Sequence, residues 1–273
     1  MSLIAKEIEA YYRQTKEAER LSNEWGELER LRTQAILAQY LPPAPAVIFD
    51  VGGAAGAYAL PLAKRGYEVH LIDPVEIHLE QARNSAARSG ARLASITPGD
   101  ARNLQVNSSS ANAVLLLGPL YHLVETADRL QALRECRRIL KPNGILFAAA
   151  ISRFASLIDG LARGFFRDPA FRNIVAEDLA SGQHRNPTSE PAYFTTAHFH
   201  RPKELADEVG MAAFENVEVL AVEGPVWSAA TFREAWNDAA QRKSLMDFLS
   251  SIEREPSILG ASGHLIAVAR RPG

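Results

Sequence analysis

The chain of 273 residues is 47% hydrophobic, which is enough to bury a large core in one domain with room for an appendage. Its formal net charge is −2, and acidic residues balance the arginines of the stretch 153–201, so no basic stripe indicates nucleic-acid binding. The sequence holds no run of about 18 apolar residues, so we expect no membrane span.

Residues 1–10 carry early charges and lack an apolar core, so we expect no secretory signal. The single cysteine, Cys136, cannot form a disulfide within the chain. Together these features predict a cytoplasmic protein. A small-molecule partner fits better than nucleic acid or a membrane, and we expect a monomer or a homodimer.

The N-terminal region reads as helix. Apolar residues within 3–39 show three-to-four spacing, with a break near Asn23–Gly26. Prolines within 42–45 end this helix and form a stiff connector. We therefore expect residues 1–42 to form an N-terminal helical lid and residues 43–273 to form the main domain.

From Ala46 onward, strand and helix patterns alternate, which predicts a doubly wound α/β fold with a parallel sheet covered on both faces. The first five predicted strands cover 47–51, 68–72, 92–97, 113–117 and 145–151, with helices at 57–65, 75–88 and 127–140 between them. The pattern resumes later with a helix at 202–209, a strand at 217–222, a helix at 229–252 and a strand at 265–269.

The alternation pauses at 153–197. This stretch looks helical in its first half, irregular around Pro187 and Pro191, and rich in aromatic residues. We expect it to be an insertion that caps the sheet and covers a bound organic molecule, which its aromatic content favours over a nucleic acid or a folded protein.

A glycine-rich turn follows the first strand, where residues 50–56 read Asp-Val-Gly-Gly-Ala-Ala-Gly. In an open α/β sheet, ligands bind beyond the carboxyl ends of the strands, and glycines let a ligand approach the backbone there. A tight turn without any ligand would give the same local pattern.

Asp73 lies 23 positions after Asp50, at the end of the second predicted strand. At that spacing an acidic side chain can accept hydrogen bonds from both hydroxyls of a ribose. It could equally cap the helix that follows Pro74, and the two roles are compatible.

The glycine spacing separates two classes of nucleoside ligand. Glycines at 52, 53 and 56 do not fit the G-x-G-x-x-G pattern of a dinucleotide site. The carboxylate of Asp50 would repel a pyrophosphate but could hold the amino group of a methionine, directly or through water. These features favour S-adenosylmethionine (SAM) over NAD.

At this point the sequence resembles the class I SAM-dependent methyltransferases, closely over 46–151 and loosely elsewhere. Residues 47–56 resemble the family's first motif, D-x-G-x-G-x-G. Gly52 and Gly56 match motif glycines, whereas Ala54 replaces the middle one and should narrow the space beside the methionine part. The resemblance implies a Rossmann-like, seven-stranded sheet whose last strand is antiparallel.

Four later segments extend the resemblance in the family's order. They are the ribose site at 72–74, the adenine-amino site at 99–101, the segment 115–122 that faces donor and acceptor, and the turn at 140–144 into strand five. The resemblance implies that SAM is bound by Asp50, Gly52, Gly53, Ala54, Gly56, Asp73, Pro74, Asp100, Ala101, Leu117 and Gly118.

Several side chains are candidates for the acceptor side: Tyr11, Tyr12, Tyr121, His122, His198 and His200. His122 follows the fourth strand and could act as a base or contact the acceptor, or it could simply bond to backbone at a helix start. The tyrosines at 11 and 12 could cover the donor or serve helix packing. Two histidines flanking Phe199 could chelate a metal, but no third ligand with convincing spacing follows, so we expect no metal.

These patterns predict methyl transfer from SAM to a small organic acceptor by direct displacement. Such an enzyme mainly aligns the reacting atoms and excludes water, and needs a base only when the acceptor must lose a proton. The acceptor atom stays open among oxygen, nitrogen, carbon and sulfur. A non-catalytic SAM-binding protein and an NAD-dependent oxidoreductase remain as alternatives.

Overall fold

A computed structural model describes residues 7, 8, 11, 23–228 and 231–273. Its strands all belong to one sheet. In chain order they are β1 Val47–Val51, β2 Glu68–Asp73, β3 Ser95–Pro98, β4 Ala111–Leu116, β5 Leu140–Ser152, β6 Gln183–His184, β7 Ala197–His200, β8 Glu215–Ala221 and β9 His264–Arg270.

The helices connect these strands and cover both faces of the sheet. They are α1 Glu24–Tyr40, α2 Ala59–Lys64, α3 Glu76–Ser89, α4 Pro119–His122, α5 Thr126–Ile139, α6 Ala155–Arg163, α7 Pro169–Ser181, α8 Pro202–Met211, α9 Phe232–Asn237, α10 Ala239–Ile252 and α11 Pro256–Leu259. Short 3-10 turns lie at Phe165–Arg167, Pro191–Tyr193 and Gly224–Ser228.

The sheet has the predicted doubly wound topology. Strands β3, β2, β1, β4 and β5 lie side by side in that order and are all parallel. Strand β9 then runs antiparallel to β5, and β8 pairs with β9, which confirms the antiparallel last strand. The strand order reverses between β1 and β4, and a cleft opens beyond strand ends at such a point.

The later part of the chain differs from expectation in two details. The irregular half of 153–197 contains β6, which pairs with β7, and β7 pairs with the end of β5 at Ile151 and Ser152. Within the described residues, these two short strands therefore add to the seven predicted ones. The single helix predicted over 229–252 is interrupted at Asp238, whose side chain caps α10 by accepting from two backbone amides.

Helix α1 is joined to the sheet by packing. Asn23 caps it by accepting from the Gly26 amide at 2.9 Å, close to the predicted break. Ile36 and Leu37 are fully buried in one hydrophobic cluster with Ile48 of β1. The lid formed by residues 1–42 stays a prediction, and the part of it that the structure describes is anchored on the domain. None of the described helices is long and apolar enough to cross a membrane.

Candidate functional site

A cavity of about 980 Å³ opens beyond the carboxyl ends of β1, β2 and β4. All eleven residues predicted to bind SAM line it, although they come from four separate turns of the chain. Tyr121 and His122, predicted for the acceptor side, line the same cavity. The sheet therefore brings the motifs together at the point where its strand order reverses.

The glycine-rich turn is held close to both neighbouring strand ends. The amide of Gly52 donates to the carbonyl of Ile72 at 2.7 Å. Gly52 has φ +73°, and a Cβ there would lie 2.4 Å from the ring of Pro119. Only glycine fits this position, because any side chain would collide with the start of α4.

Ala54, which replaces the family's middle glycine, has a backbone conformation that glycine adopts more readily than alanine. Its φ is +44°, in the left-handed region where a Cβ costs about 1–2 kcal/mol. Its amide donates to Oδ2 of Asp73 at 2.9 Å, which fixes the turn against the end of β2.

Asp73 is buried and serves the protein backbone as well as the cavity. Oδ2 accepts from Ala54, and Oδ1 accepts from the Val75 amide at 2.9 Å, as expected of a residue that orders a helix start. Nδ1 of His78 lies 3.1 Å from Oδ1. His78 also lines the cavity, and the sequence analysis missed it because a lone histidine in a helix carries no motif.

Asp50 is an almost fully buried carboxyl group at the end of β1. Its Oδ2 has no hydrogen-bond partner among the described residues. Burial and the nearby charge of Asp73 raise the pKa of Asp50 to about 7, against a lowering effect of the Ala59 backbone hydrogen bond. A buried polar atom without a partner is costly and indicates a ligand group or water.

Asp100 is already engaged by a neighbour. Both of its oxygens accept from the guanidinium of Arg102, at 2.6 Å for the shortest contact, and Arg102 also donates to Asp128 at 2.7 Å. The carboxylate still lines the cavity, so an adenine contact stays a prediction. Arg102 follows the predicted motif directly and was missed because the motif carries no basic residue.

The acceptor side centres on His122. Its Nδ1 lies 3.4 Å from the carbonyl oxygen of Thr196, which can only accept, so the neutral ring carries its lone pair on Nε2. The ring stacks on Phe194 at 5.9 Å and meets Tyr121 at 4.7 Å. Burial lowers the pKa of His122 to about 4, against the opposite effect of the Thr196 carbonyl. The imidazole is therefore neutral at physiological pH.

Phe194 completes this aromatic group, and its role was not predicted. Its φ is +70°, a strained conformation for a bulky residue, and Asn186 donates to its carbonyl oxygen at 2.9 Å. Tyr11 meets the Phe194 ring edge-on at 5.5 Å, so this candidate lies beside the group around His122. Tyr12, also predicted to contact the ligands, lies outside the described residues.

His198 and His200 lie in β7 and are not among the residues that line the cavity. Together with Glu208, they place three possible metal-ligand atoms within 4.8 Å of one another. Glu208 is thus the third possible ligand that the sequence spacing did not reveal. The carboxylate of Glu208, however, already accepts hydrogen bonds from the guanidinium of Arg129 at 2.6–3.0 Å. A positive charge at that distance disfavours a divalent cation.

Comparison with known proteins finds methyltransferases among the similar sequences. A model described as a methyltransferase domain matches residues 48–144. A ubiquinone biosynthesis O-methyltransferase of Methylocella silvestris is 35% identical over 107 residues, which are 39% of this chain and 40% of the relative. A ubiquinone/menaquinone biosynthesis C-methyltransferase of a Caulobacter species is 29% identical over 77% of this chain and 83% of its own length.

Solved structures share the fold. The 1,6-didemethyltoxoflavin-N1-methyltransferase of Burkholderia thailandensis, solved with bound 1,6-didemethyltoxoflavin and S-adenosylhomocysteine, superposes with a TM-score of 0.59 at 16% identity. The match covers 97% of this chain and 85% of that enzyme. The family model, the shared fold and the order of the motifs agree with the resemblance found in the sequence. Over residues 48–144 and in its fold, the chain is therefore similar to the class I SAM-dependent methyltransferases.

Proposed function

We propose that this protein binds SAM in the cavity at the β1–β4 strand ends and transfers its methyl group to a small organic acceptor. The observation that carries the proposal is the convergence on one cavity of the eleven residues predicted to bind SAM, which come from four separate turns. The neighbouring His122 and its aromatic surroundings supply a second, less polar half.

The residues of the donor half fit the chemical groups of SAM. Oδ2 of Asp50, buried without a partner among the described residues, would accept from the ammonium group. Arg30 of α1 lines the cavity, and its ion pair with Glu27 is 3.6 Å long, so its guanidinium suits the methionine carboxylate. Asp73 and Asp100 would accept from the ribose and the adenine. When bound, SAM supplies a methyl group activated by a positively charged sulfur.

The chain's own part in the reaction is alignment, exclusion of water and removal of a proton. His122 is neutral at physiological pH and can take a proton at Nε2 from an acceptor while the Thr196 carbonyl holds Nδ1. Tyr121 and Phe194 flank the imidazole and keep water from it. No covalent enzyme intermediate is needed.

A neutral histidine among aromatic rings favours a particular class of acceptor. We infer a partly apolar molecule whose reacting group must lose a proton, such as a phenolic hydroxyl. Relatives named as O-methyltransferases of ubiquinone biosynthesis support this class. We further propose that residues 153–197 close over the acceptor. Hydrogen exchange across this segment that stays unchanged with donor and acceptor bound would argue against a lid.

The direct test is a transfer experiment with methyl-labelled SAM and small-molecule extracts. We expect labelled product in the organic fraction, formed by the wild-type protein and not by a heat-inactivated sample. Donor binding without labelled product from any extract would favour the non-catalytic SAM-binding alternative. Binding of NAD in place of SAM would favour the oxidoreductase. Cytoplasmic location and a monomeric or homodimeric state also stay predictions.

A further inference from the structure

Arg129 of α5 is a buried cation that grips the backbone next to His122. The residue is only 2% exposed. Its Nη1 donates to the carbonyl oxygens of Leu123 at 3.0 Å and Val124 at 2.6 Å, the two residues directly after His122. Its Nη2 donates to the hydroxyl of Thr126 at 3.0 Å. One guanidinium therefore fixes the whole turn between α4 and α5.

The same guanidinium is tied to the strand on the other side of His122. Nε and Nη2 of Arg129 donate to both oxygens of Glu208 in α8, and Nε2 of His200 lies 3.1 Å from Oε2 of Glu208. Burial opposes ionisation of this carboxyl, but hydrogen bonds from His200 and Arg129 outweigh it and lower the pKa of Glu208 to about 2. His200, fully buried, is the last residue of β7.

These contacts form a closed network around the proposed base, His122. Strand β7 begins one residue after Thr196, whose carbonyl oxygen faces Nδ1 of His122. This network runs from His122 through Thr196 and β7 to His200. It then passes through Glu208 and Arg129 back to the residues after His122. It holds both partners of the contact that orients the imidazole.

We propose that Arg129, Glu208 and His200 are positioning residues that hold the His122 imidazole against the Thr196 carbonyl with Nε2 directed to the acceptor. The inference rests on the proposed function, since it assigns these residues to the same reaction. The 3.4 Å contact between Nδ1 and the Thr196 carbonyl is long for a hydrogen bond, so the contacts that hold its two partners in place add to the precision of the imidazole's orientation.

The chain offers a matched control in the buried pair of Arg32 and Glu253. Arg32 also donates to a carboxylate, at 2.5 Å, and to a backbone carbonyl, that of Val222, at 3.1 Å. Both side chains are buried, and neither residue lines the cavity. Breaking this pair also leaves a buried charge without its partner and so destabilises the fold, but it leaves the network of contacts around His122 intact.

The test is the tautomer of the His122 imidazole, read from the NMR shifts of its two nitrogens in the Glu208→Gln variant. The wild-type imidazole should carry its proton on Nδ1, which faces the Thr196 carbonyl. If the network of contacts loosens, this hydrogen bond weakens and part of the population should carry the proton on Nε2 instead. An unchanged tautomer in Glu208→Gln would overturn the proposal.

Two further variants keep the test independent of folding. Arg129→Met combined with Glu208→Leu removes the pair without leaving a buried charge, and such replacements often preserve stability. We expect this folded double variant to show the mixed tautomer of His122, with kcat reduced about 10- to 100-fold and SAM affinity retained. Glu253→Gln should lower the melting temperature and leave the tautomer of His122 unchanged. The same change of tautomer in the double variant and in Glu253→Gln would mean that the network of contacts is merely structural.

Failure of this inference can be told apart from failure of the proposed function. If the wild-type protein methylates an acceptor and the double variant does so at the same rate, only the positioning role is wrong. If the wild-type protein binds no SAM, the proposed function is wrong, whatever the NMR measurement of His122 shows.

Discussion

The two halves of the cavity are built in different ways. On the donor side, each group follows its own strand, and the contact that fixes the glycine-rich turn joins Ala54 to Asp73, only 19 positions apart. On the acceptor side, the deciding contacts span 74 positions between His122 and Thr196 and 79 positions between Arg129 and Glu208. The donor half is a set of local turns, whereas the acceptor half is assembled by the tertiary fold.

Because of this difference, we expect substitutions in the two halves to have different effects. A change in a donor turn should alter SAM affinity. A change on the acceptor side should leave donor binding intact and act on turnover, because the base there is oriented by distant parts of the chain. The following experiments test that division, beginning with the largest expected effect.

Replacing His122 should have the largest effect on catalysis. His122→Ala and His122→Gln should each lower turnover about 10²–10⁴-fold, because neither side chain can take a proton near neutral pH. SAM affinity, measured by calorimetry, should be unchanged. In the wild-type protein, turnover should fall as the pH drops toward the pKa of His122 at about 4 and should be independent of this group at neutral pH. Loss of SAM binding in both variants would contradict the division between the halves.

Replacing Asp73 should lower the affinity for SAM by about tenfold or more. A hydrogen bond to a charged group contributes roughly 1.5–3 kcal/mol, and Asp73→Ala removes the acceptor for the ribose. It also frees the amides of Ala54 and Val75, so stability should fall. Asp238→Ala is the matched control, since it frees two amides at the start of α10 away from the cavity. Equal SAM affinity in Asp73→Ala and the control would leave Asp73 with its backbone role alone.

The pKa of Asp50 predicts a pH dependence of donor binding. The carboxyl is protonated below about pH 7 in the unliganded protein, and an ammonium ligand favours its ionised form. SAM affinity should therefore rise with pH by at most about tenfold per unit until about 7, and fall above about 8 as the ligand's amine loses its proton. Measured by calorimetry, the SAM affinity of Asp50→Asn should no longer rise with pH below about 7, but it should still fall above about pH 8.

The same group makes a prediction about stability. The folded-state pKa of Asp50 lies above its ordinary value of 3.8. The contribution of this carboxyl group to the stability of the fold is therefore complete below pH 3.8 and is lost as the pH rises through about 7. Asp50→Asn should make the unliganded protein less sensitive to pH over this range. An unchanged melting-temperature profile in the variant would mean that Asp50 is ionised throughout.

Ala54→Gly should have the smallest effect. Glycine removes the cost of the left-handed backbone at φ +44°, but it also increases the entropy of the unfolded chain by a comparable amount. We expect a change in stability within about 1 kcal/mol and SAM affinity equal to or slightly above that of the wild type. A large loss of affinity would show that the alanine methyl group contacts the donor.

The contrast between the halves also explains what could be predicted from the sequence. The turn at 52–56 and Asp73 were identified because glycines and an acidic residue stand at the ends of successive strands, and Asp100 was identified through the resemblance to the family. Phe194, Arg129 and Glu208 could not be identified, since their roles depend on which distant elements meet. His198 and His200 were expected on the acceptor side of the cleft, and they are not among the residues that line the cavity.

The central claim is that the cavity at the β1–β4 strand ends binds SAM, and thermal unfolding with added ligands tests it most directly. A ligand that binds only the native state raises the melting temperature. We predict that SAM and S-adenosylhomocysteine raise it for the wild-type protein, that Asp73→Ala reduces this rise, and that NAD and NADP have no effect. A rise with NAD and none with SAM would contradict the account.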